Sequence, residues 1–139
     1  MFLVDTNVWL EVLLEQEQAK EAKEFLQKTP ARELWITDFS IYSVGIILIR
    51  TRRYTLWKEF LLDTVEGSEV TRVCLEMDDL QRIVDISREF GLDFDDAYQY
   101  VTAEKYNLTL VSLDSDFDRT LRGRRMPGEI LQAAAASEG

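Results

Sequence analysis

The 139-residue chain contains no histidine, and that absence excludes a wide range of chemistry. Histidine general bases, Ser-His-Asp triads, Cys-His pairs and histidine-bound zinc are all ruled out. The single cysteine, Cys74, excludes an internal disulfide and a thiolate metal cluster, fits a reducing compartment, and reads as a small apolar strand residue. Basic residues are scarce. Sixteen Lys and Arg against 26 Asp and Glu leave a net charge of −10, which argues against nonspecific coating of nucleic acid, since that binding rests on phosphate neutralisation. Local patches can override the total. No apolar run reaches the ~18 residues of a membrane span, and the opening "MFLVDTN" has neither a basic lead nor a small-residue cleavage site. The expectation is a soluble cytoplasmic protein without membrane contact.

What is present is enough apolar material for one core: 46% of the residues are hydrophobic. The chain reads as a single domain over residues 1–132 with a frayed alanine-rich tail at 133–139. "FLV" ends a first strand at Asp5, and "NVWLEVLLEQEQAKEAKEFLQK" has the spacing of one or two amphipathic helices. "LWIT" is a second strand, after which Thr37, Asp38 or Ser40 can cap the helix "FSIYSVGIILIRTRR". "TLWKEFLLDTVEG" reads as a helix closed by Gly67, "EVTRVCL" as a strand, and "DDLQRIVDISREFG" as a helix stopped by Gly91. A helix over 93–107, a strand over 108–113, an edge strand in "RGRRM" and a short helix opened by Pro127 complete the series. Alternating strands and helices predict a three-layer α/β/α fold around a parallel sheet of about four to five strands.

Ligands of an open parallel sheet bind beyond the carboxyl ends of its strands. Asp5 closes the first strand there, and Asp114 of "LVSLDSDF" closes the fourth. The helix that starts near Asp95 and Asp96 runs antiparallel to that fourth strand, so Asp96 meets Asp5 and Asp114 if the first and fourth strands are neighbours. Converging carboxylates repel and raise one another's pKa unless a cation offsets them. An all-oxygen set suits Mg²⁺ or Mn²⁺, and a carboxylate-held ion of that kind suits phosphodiester hydrolysis. Each residue also has a plainer role. Asp5 suits a helix cap, Asp96 a helix first turn, Asp114 and Asp116 a turn, and Asp93 and Asp95 a helix start.

"FLVDTNVWL" and "FDDAYQYVTAEKYNLTLVSLDSDF", with the strand and helix order between them, resemble the PIN domain, a metal-dependent ribonuclease fold that includes VapC-type toxins. The resemblance covers nearly the whole chain. It implies that Asp5, Asp96 and Asp114 hold metal with Asp116 as the frequent additional acid, and that Asn7 and Ser112 orient those acids or the water. It also implies an RNA substrate, a 5′-phosphate product and a small antitoxin partner. The family usually carries a glutamate in the helix after the second strand. Here Ser43 matches by spacing and Gly45 is the next candidate, no Asp or Glu occurs from Phe39 through Lys58, and Asp38 at the helix start is the nearest acid.

Two functions follow as expectations: a Mg²⁺- or Mn²⁺-dependent endoribonuclease, or a catalytically weakened PIN-like module that binds RNA or a protein partner. Substrate charge falls to Arg50, Arg52 and Arg53 at one helix end and to Arg119, Arg122, Arg124 and Arg125 after the last motif, although arginines at a helix end also complement its dipole. Trp9, Trp35 and Trp57 suit either the core or the interface of a homodimer.

Overall fold

Four short strands, β1 (Phe2–Val4), β2 (Leu34–Thr37), β3 (Thr71–Val73) and β4 (Thr109–Val111), form one parallel sheet in the order β3-β2-β1-β4 in the computed structural model, which describes residues 1–138. The first and fourth strands are therefore neighbours, with Phe2 opposite Thr109 and Val4 opposite Val111. Seven α-helices flank the sheet: α1 (Thr6–Leu13), α2 (Ala19–Lys28), α3 (Asp38–Arg50), α4 (Tyr54–Glu59), α5 (Met77–Phe90), α6 (Phe94–Tyr106) and α7 (Pro127–Glu138).

The layers follow from strand periodicity, since successive side chains point to opposite faces. Leu3 and Leu110 join one core with Ile83, Ile86 and Val101 of α5 and α6. Their neighbours Val4 and Val111 join the other, with Val8, Phe25, Val44 and Leu48 of α1, α2 and α3. Both faces of β1 and β4 are thus covered, which is why these strands read as near-continuous apolar runs.

Local signals explain most helix ends. Thr37, one of three candidate caps, accepts from the Ser40 amide at 2.9 Å and starts α3. Gly91 stops α5 in the left-handed region at φ 67°, where a glycine carries no side-chain penalty. The first helical pattern divides into α1 and α2, with Glu15 at φ 50° in the break.

Several expectations are corrected. Gly67 is no left-handed stop: the helix after α4 continues as a π-helix over Phe60–Glu66, and Gly67 has φ −90°. Glycine is required there because any Cβ would run into the Leu62 carbonyl oxygen. "RGRRM" forms no strand of its own, only an isolated parallel bridge between Arg125 and Val111. Cys74 lies just beyond β3 and is exposed, since the strand ends at Val73. Helix α7 runs through the alanine-rich residues as far as Glu138. Trp9 is buried, Trp57 packs over Phe60 and Trp35 tilts onto Tyr106 at 5.2 Å, so all three have partners within the chain. Among the described residues no helix is long and apolar enough to cross a membrane.

Candidate metal centre

At the carboxyl edge of β1 and β4 lies a cleft of about 280 Å³ lined by Asp5, Asn7, Asp95, Asp96, Gln99 and Asp114, with Leu10, Phe39, Ser43 and Ile47 on its less polar side. Each acid arrives by a different route. Asp5 follows β1 directly and caps α1, accepting from the Thr6 amide at 2.8 Å. Asp96 sits in the first turn of α6. Asp114 follows β4 and accepts from the Asp116 amide at 2.8 Å, which shapes the 3₁₀ turn Ser115–Arg119. The plainer roles of Asp5 and Asp114 are therefore real, and they are the means by which the backbone aims both carboxylates at one edge.

The acids occupy two environments. Oxygens of Asp96, Asp114 and Asp116 lie within 4.8 Å of one another, all on half-buried side chains. Asp5 stands outside that trio, only 4% exposed, with both oxygens engaged. Its Oδ1 accepts from Thr6 N and from Gln99 Nε2 at 2.9 Å, and its Oδ2 accepts from Ser112 Oγ at 2.8 Å and Asn7 Nδ2 at 3.3 Å. Asn7 and Ser112 also fix the backbone after β4: Asn7 Oδ1 accepts from the Leu113 amide, and Ser112 Oγ from the Asp114 amide.

The electrostatics follow the burial. Desolvation pushes the Asp5 carboxyl above its ordinary value, and the bonds from Gln99, Ser112 and Thr6 pull against that rise. Asp96 is pushed up to about 7, first by desolvation and then by the charges of Asp114, Asp95 and Asp5. The only side-chain cation bonded to the trio among the described residues is Arg119, whose Nη1 donates to Asp116 Oδ1 at 3.2 Å. A compact all-oxygen set with so little compensating charge fits a hard divalent cation.

The two α3 positions expected to match the family's glutamate face different ways. Ser43 lines the cleft, whereas Gly45 faces the other way: a Cβ there would lie 2.9 Å from the Trp57 indole. Asp38 is not among the residues that line the cleft. Its Oδ1 accepts from the Tyr98 hydroxyl at 2.7 Å, and it borders a separate hollow with Arg72 and Cys74.

The arginines divide unevenly. Arg119 clamps the Phe90 and Gly91 carbonyls, Arg122 reaches Asn107 and Leu108, Arg124 grips Asp118 and the Ser112 carbonyl, and Arg125 lies 3.7 Å from Glu129. Arg50, Arg52 and Arg53 are exposed, and no side-chain bond is seen for them among the described residues.

Sequence reading missed Gln99. It is 1% exposed and joins three elements, donating to Asp5 and to Ser40 Oγ at 2.7 Å while its Oε1 accepts from Thr37 Oγ1 at 2.9 Å. The available signal was its position three residues after Asp96, on the same helix face.

No curated protein matches the chain. Among solved structures it is similar to a protein of a toxin-antitoxin complex from Klebsiella pneumoniae, at 22% identity over 91% of this chain and 98% of that one with a TM-score of 0.73. It is similar to VapC20 of Mycobacterium tuberculosis, described as a sarcin-ricin loop cleaving toxin, at 15% identity over 85% and 93% of the two chains with a TM-score of 0.73. PAE2754 from Pyrobaculum aerophilum is 24% identical over 97% and 96% with a TM-score of 0.68. At these identities the likeness establishes the fold. The description of the PIN domain matches residues 2–122, nearly the whole length, and the chain belongs to the PIN domain family.

Proposed function

We propose that the protein is a Mg²⁺- or Mn²⁺-dependent endoribonuclease, the toxin of a cytoplasmic toxin–antitoxin pair. The observation that carries this reading is the trio Asp96, Asp114 and Asp116, its oxygens within 4.8 Å of one another at an open cleft. A divalent cation held by those oxygens supplies the positive charge that acidifies water and offsets a phosphodiester's developing charge. The chain's own residues set the geometry. Asn7 and Ser112 hold the Leu113 and Asp114 amides, and Asp5 holds Asn7 and Ser112, so the carboxylate of Asp114 is presented to Asp96 from a rigid base. Such preorganisation is what an in-line displacement needs.

The cleft also has a direction. Phe39, Ser43 and Ile47 repeat along one face of α3, and Arg50 continues that face roughly 16 Å from Phe39. Arg50, with Arg52 and Arg53 beyond it, is placed to meet phosphates of a bound strand. The likeness to toxin-antitoxin structures supports a small antitoxin as the natural partner.

A second reading, a PIN-like module that binds RNA or protein with little cleavage, is favoured by the neutral Ser43 in the cleft lining, where the resemblance leads to the expectation of an acid. The two separate on one experiment. Single-stranded RNA incubated with Mn²⁺ should be cut to 5′-phosphate products by the wild type and left intact by Asp96→Asn. Binding without cleavage by the wild type would establish the module.

A further inference from the structure

Asp5 is an acid that the resemblance carries over as a metal ligand, yet its carboxylate is already filled. An ionised carboxylate offers about four lone-pair sites. Four donors point at this one: the Thr6 amide at 2.8 Å and Gln99 Nε2 at 2.9 Å on Oδ1, Ser112 Oγ at 2.8 Å and Asn7 Nδ2 at 3.3 Å on Oδ2. Three of the four are fixed. The Thr6 amide is backbone at the start of α1. Ser112 Oγ accepts from Asn7 Nδ2 and from the Asp114 amide, so its own proton goes to Asp5. Gln99 is held at both ends of its amide: Oε1 accepts from Thr37 Oγ1 at 2.9 Å, and Nε2 also donates to Ser40 Oγ at 2.7 Å. Turning that amide over would face its oxygen toward the Asp5 carboxylate. Only the Asn7 bond is long. Gln99 and Asp5 both line the cleft, and of the two donors on Oδ1 only Gln99 is a side chain.

We propose that Gln99 is a positioning residue that withholds Asp5 Oδ1 from the cation of the cleft. The ion then rests on Asp96, Asp114 and Asp116, and Asp5 offers it no more than the loosely covered side of Oδ2. The proposal rests on the metal-dependent reading and specifies its ligand set. A neutral amide donor does at a buried carboxylate what positive charge would otherwise do, so the metal-free fold keeps Asp5 satisfied without an ion. The consequence is a weaker cation site, because such sites tighten with the number of charged oxygens they offer, and here one oxygen is closed.

The test is calorimetric titration of the full chain with Mn²⁺ at one mildly alkaline pH, beside urea unfolding without metal. Gln99→Met keeps a long, flexible side chain and removes its donors. It should lower metal-free stability and, in the same protein, tighten Mn²⁺ binding roughly tenfold, the scale on which ligand count tunes cation sites. Ser40→Ala breaks the other bond of the same amide nitrogen and spares Asp5, so it should lower stability and leave Mn²⁺ affinity unchanged. A merely structural Gln99 predicts equal or weaker binding in Gln99→Met, and that result overturns the proposal, as does equal tightening in Ser40→Ala. A wild-type readout decides the matter if Gln99→Met does not fold. In saturating Mg²⁺ the Gln99 side-chain amide protons, followed by NMR, should stay protected from exchange. Their loss of protection means that the ion has displaced them, which overturns the proposal and leaves the metal reading intact. A wild type that binds neither ion overturns the metal reading and the proposal with it.

Discussion

Asp5 and the trio of Asp96, Asp114 and Asp116 share one sheet edge, yet their carboxylates are held in different ways. Asp5 is buried and accepts four hydrogen bonds, so its oxygens tie α1, α6 and the turn after β4 together. The trio is half-buried, close-packed and nearly without counter-charge. Donors turn a buried carboxylate into a structural anchor, whereas carboxylates facing one another leave electrostatic work for a ligand. Removing the acceptor oxygens at Asp5 and relieving the charge at Asp96 should therefore do opposite things.

The largest expected effect breaks the anchor. Asp5→Ala leaves the Gln99, Ser112 and Asn7 donors unpartnered, and urea unfolding should show a loss of about 3 kcal/mol or more. Asp96→Asn should instead keep or raise the stability of the metal-free protein, because it relieves repulsion. If both variants lose stability equally, the two environments are not distinct.

Metal comes next. A cation bound only by the folded cluster stabilises by mass action, about 2.7 kcal/mol at a hundred times Kd. Melting with millimolar Mn²⁺ should raise Tm in the wild type and leave Asp96→Asn and Asp114→Asn unmoved. An equal rise in all three proteins would place the ion elsewhere.

A smaller effect is pH dependence. The folded pKa of Asp96, about 7, lies above the ordinary aspartate value of 3.8, so the folded state binds the proton more tightly than the unfolded state. This contribution to metal-free stability is complete below about pH 4 and is lost as pH rises through about 7. The buried Asp5, also raised, acts in the same direction. Thermal melts between pH 5 and 8 should thus show stability falling as pH rises, with a flatter slope in Asp96→Asn. Mn²⁺ affinity, measured by calorimetric titration, should fall below pH 7 as the ion competes with that proton.

The smallest effect concerns the vacant acid position. Ser43→Glu adds a carboxylate beside the trio at little helical cost and should tighten Mn²⁺ binding and speed cleavage of RNA. Gly45→Glu should lower Tm with no gain in metal affinity, since its side chain must displace the Trp57 indole. Tighter binding in Gly45→Glu alone would reverse this placement.

Much of the fold was legible because its signals are local. The apolar runs at Phe2–Val4 and Leu34–Thr37, the cap at Thr37 and the stop at Gly91 each act within a few residues. The π-helical turn before Gly67 and the exposure of Cys74 were not legible, because they depend on what packs against them. The same holds at the site. Strand ends and a helix start placed Asp5, Asp96 and Asp114 at one edge, but spacing along α3 left Ser43 and Gly45 as alternatives until Trp57 occupied one side of that helix.

The chain by itself determined the order of elements, the sheet edge where acids gather and the absence of any histidine chemistry, since these depend on residue type and period alone. Only the tertiary structure decided that both Asp5 oxygens are hydrogen-bonded while Asp96, Asp114 and Asp116 cluster beside it, and that Arg119, Arg122 and Arg124 are already engaged. Gln99 shows the reason: its partners Asp5, Ser40 and Thr37 lie 59 to 94 residues away or are reached across the sheet, and a hydrogen bond over such a separation exists only once both cores have closed around it.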